Sequence, residues 1–167
     1  RYASESCIGI GISTHGYLDN ARHGPIICRN TPALSGFDLL NWSENSFGIK
    51  TILNNDLIAH ALAEYHFGQG KGVKRFMCMV VGTGFGVGVL NDGIPLRLVG
   101  GTTGDAGRLI IDPDSEYSCN YGVRGSIEAL VGVNNIERMA FQYYGYEMSA
   151  HDVIVNAKNG NDKISQE

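Results

Sequence analysis

The stretch Val80–Val89, VVGTGFGVGV, constrains this chain more than any other. Glycine stands at 82, 84, 86 and 88, so an extended ribbon here has one face without side chains. A bare face implies that something lies close against the backbone. Two occupants fit. One is a strand or helix packed at short range; the other is a polyphosphate cradled by backbone N–H groups, with the Thr83 hydroxyl beside it. The run is not a dinucleotide fingerprint, because GxGxxG would need glycine at 87, which is Val87. No Gly-Lys-Ser/Thr follows, so it is not a Walker A loop either.

Glycine is in excess throughout: 23 of 167 residues against 4 prolines, roughly twice its ordinary share. With no Gly-X-Y period, the surplus marks turns and close approaches, not a fibre. A 43% hydrophobic, 18% charged chain of this length buries roughly 70% of its unfolded surface, enough for a real core. The net charge of −4, with no Lys/Arg block, argues against nucleic acid or an anionic membrane as partner. No apolar run is long enough to span a bilayer, and the N-terminus has no signal-peptide layout. Cys7, Cys28, Cys78 and Cys119 form no CxxC pair and read as reduced thiols of a cytoplasmic protein.

Along the chain, strands alternate with helices, which predicts α/β layers in two unequal parts. Residues 7–12 (CIGIGI) read as a strand close-packed on one face. A short apolar run follows at Pro25–Cys28, then a short helix over Asp38–Asn45 and a strand over Lys50–Leu53. Asn54, Asn55 and Asp56 are strong caps for a helix over Leu57–Phe67 that ends at Gly68, and Gly68–Gly72 reads as a hinge. Phe76–Val81 has the continuous apolar character of a buried strand. Asn91-Asp92-Gly93 predicts a hairpin return through Ile94–Leu98. Leu109–Ile111 reads as a strand, Gly125–Leu130 and Ile136–Tyr144 as helices, the latter capped by Asn134 or Asn135. Ser149 and Asp152 form a capping box for a helix running to about Lys158, and Gly160-Asn161-Asp162 suggests a turn into another.

Asp56 reads two ways. It is a helix cap, or a general base at the end of a strand, where active sites of open α/β sheets collect. Asn55 beside it binds a hydroxyl or shares the capping. Asp105, Arg108 and Glu128 are charged residues amid apolar sequence: rim salt bridges, or donors and acceptors for a polyhydroxylated ligand. The five histidines have no HxxxH-type spacing, and His60 falls in an exposed i, i+4 row with Asp56 and Glu64.

Together these pieces resemble the ROK family of sugar kinases and transcriptional repressors. The matching runs are GIGISTHGYLD, NND followed by LIAHALAEYHFGQGKG, VVGTGFGVGVLNDG, GGTTGDAGRLIIDP, CNYGVRGSIEAL and SAHDVIVNAKNGND. The strongest local likeness is to its N-acetylmannosamine and N-acetylglucosamine kinases, and the chain is also similar to glucokinase-type members. The resemblance implies part of an actin-like ATPase (ribonuclease H-like) α/β fold, with 1–72 ending the small domain and 73–167 opening the large one. It implies ATP with Mg²⁺ and a hexose or amino sugar as substrates. Asp56 then matches the base that takes the proton from the attacking hydroxyl, and Asn55 holds a neighbouring hydroxyl. Gly16 and Asn30 match positions lining the sugar pocket, Gly82, Thr83, Gly84 and Gly86 the second phosphate loop, and Glu128 a sugar-binding glutamate.

Three departures stand out. Where the family usually has Gly-Glu-x-Gly-His, with both side chains on the sugar and the histidine also on zinc, this chain has Asp105 and Arg108. The zinc cysteines fall at Cys119, Tyr121 and Ser126, so one ligand of four survives and no zinc is expected. Tyr121 and its apolar neighbours would then hold that loop by packing. The first phosphate loop would lie before Arg1 and the adenosine-binding half after Glu167. Arg108 also raises the alternative of a carboxylate or phosphate on the sugar. The rival functions are a sugar-sensing regulator of the same family and a non-catalytic sugar-binding relative. Members are often dimers, and nothing in these residues identifies an interface.

Overall fold

A computed structural model describes residues 7–19, 21–29, 31–97 and 106–160. The elements, in chain order, are β1 (Ile10–Thr14), β2 (Tyr17–Leu18), β3 (Pro25–Ile27), α1 (Leu39–Phe47), β4 (Thr51–Asn55), α2 (Asp56–Phe67), β5 (Arg75–Val81), β6 (Phe85–Asn91), β7 (Ile94–Pro95), α3 (Ile127–Val131), α4 (Val133–Tyr144) and α5 (Ala150–Asn159). Single turns of 3-10 helix lie at Pro32–Leu34 and Ala106–Arg108. The protein is mixed α/β and forms two compact units. The first comprises residues 1–78 and 87–104, the second 79–86 and 105–167. No described helix is long and apolar enough to cross a membrane.

In the first unit β1 and β4 pair in parallel, from Ile10 opposite Thr51 to Thr14 opposite Asn55. Parallel neighbours need a long crossover, and the segment carrying β2, β3 and α1 supplies it. Asp38 caps α1 by accepting from the Asn41 N–H at 3.0 Å, and Gly48 ends it in the left-handed region at φ 66°. The buried hydroxyls of Ser43 and Thr51, 2.9 Å apart, join α1 to β4. Leu18, Cys28, Leu53, Ile58, Ala61, Val87 and Leu90 form this unit's core.

In the second unit α3, α4 and α5 follow one another with little connecting chain. Cys119, Ala129, Ala140 and Ala150 are its buried apolar residues. Ser149 caps α5, accepting from the Asp152 N–H at 3.1 Å while its hydroxyl donates to the Asp152 carboxylate at 2.7 Å. Strands β5, β6 and β7 form one sheet in that order.

Several local expectations need correction. The first strand begins at Ile10, and Gly11 has no atom within 4 Å of where a Cβ would sit, so that face is open. The glycine run is not one ribbon: Gly82–Gly84 turn between β5 and β6, with the Gly82 N–H on the Gly84 carbonyl at 2.9 Å. β5 alternates, with Met77, Met79 and Val81 exposed, because only one of its faces is covered. Leu109–Ile111 makes a single bridge, Ile110 to Ser126, not a strand. Helix α4 is capped by Gly132, without a side-chain hydrogen bond. Asn135 is not a cap because its amide donates back to the Leu130 carbonyl at the end of α3. The expected helix after Gly160 lies outside the described residues.

Candidate active site

The expected site residues fall into one group in each unit. In the first unit β4 runs directly into α2, so Asn55 ends the strand and Asp56 opens the helix. The Asn55 side-chain oxygen caps α2 by accepting from the Leu57 N–H at 3.0 Å. Its NH₂ donates to the Gly16 carbonyl at 3.0 Å. Asn55 thereby ties the turn after β1 to the start of the helix, across 39 residues of sequence. Gly16 is at φ 93°, and a Cβ there would strike the Ile27 carbonyl and lie 3.2 Å from the Cys28 sulfur. Only glycine fits that position.

Asp56 is half-buried at the C-terminal end of a parallel strand. One carboxylate oxygen accepts from the Leu57 N–H at 3.0 Å; the other makes no hydrogen bond among the described residues. Cap and base are therefore compatible readings, because Asn55 does the capping and half of the Asp56 carboxylate stays available.

Two features around this corner were missed by the sequence reading. Arg22 and Arg97 both donate to the Asn54 side-chain oxygen, at 3.4 and 3.1 Å. Their separations of 32 and 43 residues leave no local pattern to detect. Partial burial, then the charge of Arg22, holds the Arg97 guanidinium below its usual range. Buried Cys28 donates its thiol hydrogen to the His15 carbonyl at 3.1 Å. Burial pushes this thiol up, a hydrogen bond with Thr14 opposes the shift, and the charge of Asp56 adds to it.

In the second unit Glu128 lies in the first turn of α3, capped by fully buried Ser126. One Glu128 oxygen accepts from the Phe85 N–H at 3.2 Å and fills the space that a Cβ on Gly84 would need. Its other oxygen is buried without a hydrogen-bond partner among the described residues, a state that costs about 1–3 kcal/mol unless something pairs with it. The Gly82 carbonyl takes the Val133 N–H of α4 at 3.1 Å. A Cβ on Gly107 would meet the Phe85 carbonyl. Gly84, Glu128 and Gly107 are thus packed together, and Thr83 is exposed on the turn. Asn30 and Asp105 lie outside the described residues.

At the positions where the resemblance would put zinc ligands, the described side chains are engaged otherwise. The Arg108 guanidinium carbon lies 4.0 Å from the centre of the Tyr121 ring. The Ser126 hydroxyl donates to the Val123 carbonyl and accepts from the Ala129 N–H, both at 3.2 Å. That leaves the Cys119 thiol, and one thiolate cannot make a four-coordinate site. Among the described residues no group of three or more His, Cys, Asp or Glu side chains converges to hold a metal.

The ROK family sequence profile matches residues 1–167 in full, and the chain belongs to that family. It is 32% identical over 157 residues to the N-acetylmannosamine kinase of Citrobacter koseri, covering 92% of this chain and 52% of that one. Other curated relatives carry the names glucokinase and N-acetyl-D-glucosamine kinase. Among solved structures, the ROK hexokinase of Thermus thermophilus superposes with a TM-score of 0.72 at 29% identity, over 95% of this chain and 51% of that one. A ROK family transcriptional regulator, a homologue of the E. coli Mlc protein, gives 0.79 at 22% identity over 92% and 41%, a likeness of fold alone. The fold is therefore the actin-like ATPase fold of the ROK proteins, in part. The chain spans about half the length of the curated relatives it matches, as the 52% coverage of the Citrobacter enzyme illustrates.

Proposed function

We propose that this chain carries the sugar-binding corner and the proton acceptor of an ATP-dependent kinase for a hexose or amino sugar. The observation that carries this reading is the β4–α2 junction. Asn55 is held by the Gly16 carbonyl and the Leu57 N–H, while Asp56 keeps one oxygen available. In the proposed reaction the sugar hydroxyl oxygen bonds to the γ-phosphorus of ATP. The bond from that phosphorus to the β,γ-bridging oxygen breaks, ADP leaves, and the hydroxyl proton passes to Asp56. Such a base contributes about 10²–10⁴-fold, and most of the remainder is positioning and charge neutralisation. Residues 1–72 belong to the small domain in this reading and 73–167 to the large one.

Glu128 would accept from a sugar hydroxyl through its unpaired buried oxygen, and Gly16, Asn30 and Asp105 are further candidate sugar-contacting residues. Gly82, Thr83, Gly84 and Gly86 would face the nucleotide phosphates. Mg²⁺ would accompany the nucleotide.

The test is ATP-dependent ADP release by the intact gene product across hexoses, amino sugars and sugar acids, with Asp56→Asn beside it. Turnover on one sugar, lost in the variant while sugar binding persists, supports the kinase. Sugar-dependent thermal stabilisation without ADP release on any of them would replace it with a sugar-sensing regulator or a non-catalytic binding protein.

A further inference from the structure

We infer that the segment Ala106–Val131 is a metal-independent form of the family's zinc-bearing loop, in which Arg108 stacked on Tyr121 does the positioning that an ion would otherwise do. The role given to Glu128 rests on the kinase reading above; the staple itself does not.

The segment's backbone is closed by its own hydrogen bonds. Cys119 and Val123 are joined at 3.2 Å, and the Gly122 N–H reaches the Cys119 carbonyl at 2.8 Å. The Gly125 N–H reaches the Tyr117 carbonyl at 2.9 Å, while the Gly125 carbonyl accepts from Ile111 and Asp112 at 2.8 and 3.1 Å. Arg124 clamps the Ser115 carbonyl with two nitrogens, at 3.2 and 3.0 Å. These bonds tie the loop to itself and to the strand-like Leu109–Asp112. Ser126, wholly buried, ends the loop and caps α3.

What remains is to fix the loop against the Ala106–Arg108 turn, and Arg108 over Tyr121 is a side-chain contact among the described residues that spans them. The turn and the loop that it joins both lead to Glu128. Gly107 would bring a Cβ to 3.4 Å from the Glu128 carboxylate, and Ser126 sets the start of the helix that carries Glu128. A guanidinium on a phenol face is a delocalised, weakly hydrated cation on a negative π surface. It needs neither a thiolate nor an ion. Three of the four positions are thus occupied by groups committed elsewhere: a cation, a ring beneath it, and a hydroxyl serving as cap. Arg108 and Tyr121 are positioning residues in this assignment.

The experiment uses the intact gene product, expressed in zinc-supplemented medium. Zinc content is measured by mass spectrometry, and melting is followed with and without EDTA. Tyr121→Phe, Tyr121→Leu and Arg108→Met are compared, with the Arg108→Met/Tyr121→Leu double variant. KM and kcat are read with glucose, N-acetylglucosamine and N-acetylmannosamine. We expect substoichiometric zinc and no response to EDTA. Tyr121→Phe, which keeps the ring, should stay nearer to wild type than Tyr121→Leu, which should melt earlier than Tyr121→Phe and raise the sugar KM several-fold with a smaller change in kcat. The double variant should be no worse than the worse single one. Stoichiometric zinc whose removal lowers the melting temperature would overturn the proposal, as would a Tyr121→Leu protein indistinguishable from Tyr121→Phe. If no sugar is turned over, the kinase reading fails, while zinc content and the Phe-against-Leu melting difference still decide the staple. If Tyr121→Leu does not fold, Arg108→Met against Tyr121→Phe decides it by the same criterion.

Discussion

Replacing Gly88 by alanine should damage the proposed catalytic corner from behind. Gly88 is buried in β6 and packs against α2. An alanine Cβ there would lie 2.7 Å from the Ala61 Cβ and 3.0 Å from the Leu57 carbonyl carbon, and would overlap the Leu57 oxygen. Carbon pairs rest at about 3.5–4.0 Å, so the first turn of α2 must retreat by about 1 Å. Overpacking of this kind costs about 1–3 kcal/mol. The group displaced is Leu57, whose N–H holds both Asn55 and Asp56. Misplacing a reacting group by about 1 Å costs about 10²-fold in rate. The assay is urea denaturation together with sugar kinetics on the intact gene product. Gly11→Ala is the control: the same change in a strand, with nothing within 4 Å, expected to be neutral or to stabilise by about 0.4–1 kcal/mol. Equal stability and kcat for the two variants would refute close packing of β6 on α2 as the reason for Gly88.

Ser126→Ala removes the cap of α3 and should cost about 0.5–2 kcal/mol, read as a lower denaturation midpoint, with weaker sugar binding on the proposed reading because Glu128 lies in the first turn that Ser126 caps. Cys28 gives a pH dependence. Its thiol pKa is raised in the folded state, first by burial, so its contribution is complete below the ordinary thiol pKa and is lost as pH rises through the higher folded value. Stability should therefore fall on the alkaline side, and Cys28→Ala should flatten that slope in denaturation midpoints measured between neutral and alkaline pH. Asp38 has the opposite sign. Its carboxylate is held below its usual range by hydrogen bonds from Asn41, so its support for α1 is lost as pH falls through the folded pKa. Asp38→Asn should remove that acid-side dependence.

What the chain's order of residues determined by itself is mainly local. Asn55 before α2 and Ser149 with Asp152 before α5 act through bonds to backbone three residues away or fewer, so residue type and spacing suffice to read them; Asp38, expected inside its helix, caps α1 instead. The Asn91–Gly93 turn is of the same kind: Asp92 at φ 50° and Gly93 at φ 76° adopt the left-handed backbone that the hairpin demands. The family likeness extended that reading to Asp56 and Glu128, because motifs keep their order whether or not their contacts can be seen.

The tertiary structure decided which occupant each bare glycine answers to. Gly88 faces the backbone of α2, Gly84 faces the Glu128 carboxylate, and Gly82 has nothing within 4 Å, although the three look alike in sequence. It also decided that Asn135 serves α3 instead of capping α4, and that two arginines converge on Asn54. Tyr121 became the seat for Arg108 in the same way. Apart from the Asn135 bond, which spans only five residues, these depend on atoms that folding brings within a few ångströms from distant parts of the chain, and no local propensity encodes that distance.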